Sequence, residues 1–101
     1  MNREYAKMSV GDGWHNLVDE AFDLAEKENF SIDDVKDKYG MLRIYTDGVK
    51  EAVYKKIADL EIRSMTICEC CGAHAGPRSM NGWSKTICDP CKHVYTALAK
   101  A

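Results

Sequence analysis

Apolar residues recur along this chain with two different periods, and the periods divide it into elements. In "GDGWHNLVDEAFDLAEKENF", Trp14, Leu17, Val18, Ala21, Leu24 and Ala25 fall at helical spacing, with charged residues between them. That spacing gathers the apolar set on one helix face and the charges on the other, which predicts a helix over about residues 13–28. Asp12 stands where a side-chain oxygen caps the first free backbone N–H groups. Phe22 lies off the stripe and is expected to be partly buried.

The segment "TDGVKEAVYKKIADLEIRSM" repeats the helical period through Val49, Ala52, Val53, Ile57 and Leu60, predicting a second helix at about 48–64 with Asp47 as its cap. Between the helices the period shortens to two. In "MLRIYT", Leu42 and Ile44 alternate with Arg43 and Tyr45, as in a half-buried strand. The preceding "SIDDVKDKY" reads two ways. Ser31 and Asp34 fit the capping box of a short helix, whereas Ile32 and Val35 fit a partner strand turning at Tyr39-Gly40. The hairpin is the preferred reading. Both helices and the hairpin then share one core, an α+β body over residues 1–65.

The third region departs from this pattern. "CECCGAHAGPRSMNGWSKTICDPC" holds all 5 cysteines of the chain. Cys68 and Cys71 form one C-x-x-C pair, Cys88 and Cys91 a second, with 16 residues between them. Two intervening residues let one tight turn aim both sulfurs at one ion, and Gly72 suits the positive φ of such a knuckle. One pair alone would also fit a redox dithiol, but two pairs at this separation point to a structural zinc bound by Cys68, Cys71, Cys88 and Cys91.

Cys70 is the odd sulfur, because C-x-C is a poorer bite than C-x-x-C. It reads as a free thiol beside the knuckle, reactive if a neighbouring metal lowers its pKa. His74 and His93 read as surface residues. Between the pairs, "NG" is a hairpin signal, with Trp83 and Ile87 on one strand face. "KHVYTALAK" has Val94, Leu98 and helix-forming alanines, which would place Cys91 in the first turn of a helix, where backbone N–H groups favour a thiolate. Knuckle, hairpin and helix start together resemble a treble-clef zinc finger, with a three-stranded zinc ribbon as the alternative. This finger, residues 66–101, is expected to dock on the body as one compact unit, since the second helix runs almost directly into Cys68.

Composition and charge narrow the function. The chain has 101 residues, 46% hydrophobic and 30% charged, which is one soluble domain's worth. No apolar run approaches the ~18 residues of a membrane span, and the N-terminus lacks the apolar core of a secretory signal, so a cytoplasmic location is expected. Clustered cysteines in that reducing setting are thiols or metal ligands. The net charge of −2 is uneven: residues 1–65 carry 10 Lys and Arg against 14 Asp and Glu, and residues 66–101 carry 4 against 2. A four-sulfur site leaves no open position for substrate. The H-x-E element of zinc deaminases is absent, as are the phosphate-binding loop, zinc-protease and serine-hydrolase motifs. His15 has no Ser or Cys partner evident in sequence, and an enzyme using Cys70 or His15 is not expected. A non-catalytic protein is expected, with no small-molecule substrate.

Four stretches together, "GDGW", "VKDKYGMLRIY", "LEIRSMTICECCG" and "GWSKTICDPC", resemble a family of small phage and prophage proteins of unassigned function. The resemblance runs from Gly11 to Cys91. The chain departs from the family pattern at Met41, where a small residue is common, at Ile44, which replaces an aromatic, and at the extra Cys70. The resemblance implies a phage origin and a finger docked on an α/β body.

Two binding functions follow as expectations. The first is a host protein as partner, for example a defence complex such as CRISPR, met in the host cytoplasm by the carboxylates Asp19, Glu20, Asp23, Glu26, Asp33, Asp34 and Asp37. The second is nucleic acid, met by the finger through Arg78, Trp83, Lys85 and Lys92.

Overall fold

The structure, a computed structural model, describes residues 1–80 and 82–100, with side chains as far as Val94. Asn81 of the expected turn and the Leu98 side chain lie outside the described residues. The fold is α+β, with four helices and two small antiparallel hairpins. Helix α1 (Arg3–Met8) is followed by a 3-10 turn (Asp12–Trp14) and helix α2 (His15–Glu28). Strands β1 (Ile32–Lys38) and β2 (Met41–Thr46) make the first hairpin, and helix α3 (Glu51–Ser64) follows. Strands β3 (Gly76–Met80) and β4 (Trp83–Ile87) make the second, and helix α4 (Asp89–Lys100) ends the chain.

The main core joins the inner faces of α2, β1, β2 and α3. Trp14, Leu17, Val18, Val35 and Leu42 are almost wholly buried within it, and Phe22 packs on it half-buried. Along α3, Val53, Ile57 and Leu60 point inward, but Ala52 is exposed. Helix α1 was not foreseen. Its only buried residue is Ala6, too little for a periodic signal, and it is capped by Asn2, whose side chain accepts from Tyr5 N at 2.8 Å.

Residues 31–39 form a strand rather than a capped helix. The Asp34 side chain accepts from Val35 N at 2.9 Å, and the register shifts between Ile32 and Asp34. This bulge turns both Ile32 and Val35 to the core although they stand three residues apart. Strand β2 has its free edge covered by α3: Leu42 N donates to Ser64 Oγ and Ile44 N to Glu61 Oε2, both at 2.9 Å. Side chains thereby stand in for a third strand.

Both expected helix caps are absent. Helix α3 starts at Glu51, after a turn at Gly48, and its cap position is Lys50 with no side-chain bond, so Asp47 does not cap it. Asp12 caps neither the 3-10 turn nor α2. The turn is anchored instead by a remote contact, in which Gly13 N donates to Glu69 O at 3.0 Å.

Candidate metal centre

The 3-10 turn leads straight to the cysteine cluster. Cys68 N donates to Ala73 O at 2.7 Å and Gly72 N to Cys68 O at 2.9 Å, which folds residues 68–73 into a tight knuckle. Gly72 sits at φ 84°, a left-handed conformation that a side chain would resist. The second pair comes from the end of the second hairpin. Cys88 follows β4 directly, and Cys91 lies in the first turn of α4.

These elements bring the sulfurs of Cys68, Cys71, Cys88 and Cys91 within 4.8 Å of one another. The sulfurs of Cys71 and Cys88 stand 3.6 Å apart. A disulfide would need about 2.05 Å. Four sulfurs at ~2.3 Å from a central tetrahedral ion would stand about 3.8 Å apart, so the donor set fits a metal ion. Cys68 and Cys88 are buried while Cys71 is exposed, so the cluster faces solvent on one side.

The electrostatics of the cluster agree with this. Burial opposes ionisation of Cys68, but backbone N–H groups of Cys88, Cys71 and Cys70 aimed at its sulfur bring its pKa down to about 6. Cys91 is pushed above the ordinary thiol range by its contacts with the sulfurs of Cys88 and Cys71. Sulfurs this close cannot all ionise beside one another unless a cation sits among them. Cys70 stands outside the set and is exposed. Desolvation, then the negative charge of Cys68 and Glu69, raise its pKa, which works against reactivity.

Sequence reasoning passed over the residue that ties the knuckle to its surroundings. Glu69, inside the first C-x-x-C, is buried and accepts from Lys85 Nζ at 2.9 Å and from Thr86 N at 3.3 Å. Lys85 Nζ also lies 3.7 Å from Asp37 at the tip of the first hairpin. Burial raises the Glu69 pKa against the pull of Lys85. The one available signal was a charged residue between two ligands.

The body meets the finger through backbone as well. Trp14 Nε1 donates to Ile67 O at 2.8 Å, and Thr86 Oγ1 to Gly40 O at 2.6 Å. A β-carbon at Gly11 would collide with the carbonyl of Glu69, and one at Gly13 with that of Cys68. The "GDGW" motif is thus a backbone seat for the knuckle. His74 and His93 are exposed, and His15 has Nε2 3.6 Å from Asp12 Oδ1.

The expected partner residues fall as follows. Arg3 reaches Asp19, Asp23 and Glu26 at 3.0, 2.8 and 3.3 Å, and Lys7 reaches Asp19 at 2.9 Å. Arg63 holds Glu20 at 3.0 Å, and Lys36 lies 3.9 Å from Asp34. Asp33 is exposed. Of the finger residues, Arg78 is paired with Asp89 at 2.6 Å, and Lys92 and Val94 are exposed on α4. Trp83 and Lys85 line one cleft together with Asp37 and Tyr39, and none of the four clustered cysteines lines it. Trp83 and Ile87 share a strand face, yet Ile87 is buried at the base and Trp83 stands exposed at the tip. No helix among the described residues is long and apolar enough to cross a membrane.

No protein family, no curated protein and no solved structure matches the chain. Its reading therefore rests on its own geometry.

Proposed function

We propose that the chain is a non-catalytic binding protein, held in shape by one structural zinc and acting through its surface on a macromolecular partner. The observation that carries this is the cluster of four sulfurs within 4.8 Å of one another. Four thiolates complete a tetrahedron around zinc and leave no position for water or substrate. The order of knuckle, hairpin and α4 favours a treble-clef finger over a zinc ribbon, which has no closing helix. The phage resemblance is consistent with a small binding protein.

Two partner surfaces were expected, and their surroundings differ. The α2 carboxylates are already paired with Arg3, Lys7 and Arg63 of the same chain. That pairing counts against an acidic face meant for a basic protein partner. Trp83, by contrast, stands exposed, its side chain in no hydrogen bond among the described residues.

The test is metal content together with two cysteine variants. Purified protein should hold one zinc per chain. Cys88→Ser should lose the metal and the finger, since such binding is worth on the order of 10 kcal/mol. Cys70→Ser should keep both. Equal damage from the two, or protein purified with far less than one equivalent of zinc, would defeat the reading.

A further inference from the structure

The tips of the two hairpins stand side by side, and each ends in an exposed ring. Tyr39 is 79% exposed and Trp83 72%. They face a common cleft of about 470 Å³, floored in part by Asp37 and Lys85. Pockets that hold small organic groups run from about 300 Å³ upward, so the space suits one or two planar rings. Its walls are fixed to each other. Thr86 Oγ1 donates to Gly40 O, Gly40 N donates to Asp37 Oδ1 at 3.1 Å, and Gly40 lies against the backbone of Lys85 with no room for a side chain. Tyr39 itself sits at φ 55°, a conformation that a bulky residue rarely adopts. The turn would be easier to make with asparagine or glycine, so the ring is not there for the turn.

Cations gather beside the cleft, and carboxylates stand near some of them. On the outer face of the first hairpin Lys36 lies directly across from Arg43, and both stand over the Tyr45 ring, at 5.0 and 6.0 Å. Like charges directly opposite in a hairpin destabilise it. Asp34 at 3.9 Å from Lys36 and Glu61 at 3.4 Å from Arg43 offset them only in part. Lys38, beside Tyr39, has no ion pair among the described residues. Cations and aromatics thus form a strip from Tyr45 to the cleft on a chain whose net charge is −2.

We propose that this strip and cleft bind single-stranded nucleic acid, with Tyr39 and Trp83 stacking on bases and Lys36, Lys38 and Arg43 facing phosphates. The assignment rests on reading the chain as a binding protein and names its partner class. Rings that project into solvent beside a cleft reach bases only where these are not already stacked in a duplex. Cations along the approach supply the sequence-independent attraction.

The protein supplies its own reporter. Trp14 is wholly buried, so quenching by a ligand reads Trp83. Zinc-loaded protein is titrated with oligothymidine and oligouridine of about 12 nucleotides, and with a duplex of equal length, at about 50 mM salt. Saturable quenching by the single strands is expected, with binding that weakens steeply as salt rises. By anisotropy of labelled oligonucleotide, Tyr39→Ala and Trp83→Ala should each weaken binding about 10-fold. Lys36→Gln with Lys38→Gln should flatten the salt slope by roughly 1.4. Both rings are exposed, so zinc content and thermal unfolding should stay unchanged in these variants. No binding at low salt, tighter binding to the duplex, or indifference to both ring variants would overturn the assignment. So would capture of a protein through these rings without oligonucleotide binding. One zinc per chain in protein that ignores oligonucleotides would remove this site alone and leave the zinc-stapled binding protein standing.

Discussion

At Gly13 a single hydrogen decides whether the body can meet the finger. A methyl group there would run into the carbonyl of Cys68 and crowd the Gly72 N–H, both of them backbone atoms that cannot swing aside. Gly13→Ala should cost about 3 kcal/mol or more, measured by urea unfolding with zinc in excess. Gly76→Ala, with nothing within 4 Å of the added carbon, is the control and should stay within about 0.5 kcal/mol of the parent. The "GDGW" stretch was legible as a motif, but its reason was not. A glycine in a sequence says that space is tight without saying against what, and here the neighbour comes from the far end of the chain. Glu69 was illegible for a related cause: its burial follows from Lys85 and Thr86, which only the folded second hairpin brings to it.

The elements themselves were largely readable, because their periods are set by core faces that local geometry imposes. The stripes of α2 and α3 and the alternation of β2 correspond to buried positions at Leu17, Val18, Leu42, Ile44, Val53 and Ile57. Residues 31–39 were ambiguous because the bulge in β1 gives a strand the three-residue spacing of a helix. The caps were misplaced for two reasons: α3 starts beyond the Gly48 turn, out of reach of Asp47, and beside Asp12 a tertiary bond to the Glu69 carbonyl takes up Gly13 N. Ser64 is the clearest example of such a bond. Its hydroxyl accepts from Leu42 N and donates to Glu61 O, and it is fully buried. Ser64→Ala leaves the Leu42 N–H without a partner in the interior, so a loss of about 1–3 kcal/mol is expected. Thermal unfolding should report it, with faster amide exchange at Leu42 and Ile44 as the local signature. An unchanged exchange rate at Leu42 would mean the hydroxyl does not serve that edge.

For the molecule as a whole, the sulfurs positioned to hold a metal are also the ones protons would claim. The Cys68 pKa of about 6 lies below the ordinary thiol value. Its thiolate therefore supports the fold fully above that ordinary value, and the support is lost as pH falls through about 6. That window belongs to the metal-free chain; a bound ion holds the sulfurs ionised further down, so zinc should be held at neutral pH and released only on acidification below about 6, along with a fall in melting temperature. A coloured zinc indicator and a melting curve at each pH check this together. Release of zinc already above that value, or release with no fall in melting temperature, would contradict it. Removing the ion with a strong chelator at neutral pH should also disturb the environment of Trp14, which hangs on Ile67 beside the knuckle. A near-ultraviolet signal from the buried indole that ignores the chelator would show the body standing without its finger.

The seat formed by Gly11 and Gly13 also orders events during synthesis. The ribosome delivers that turn first, and the loop that settles on it becomes available only after the whole body has been made. Until that loop is made, Gly11 and Gly13 have no knuckle to seat, although Trp14 can already pack into the body's core. If the four sulfurs hold an ion, its scarcity would then leave the turn at residues 11–13 uncovered, visible as prolonged protease sensitivity there.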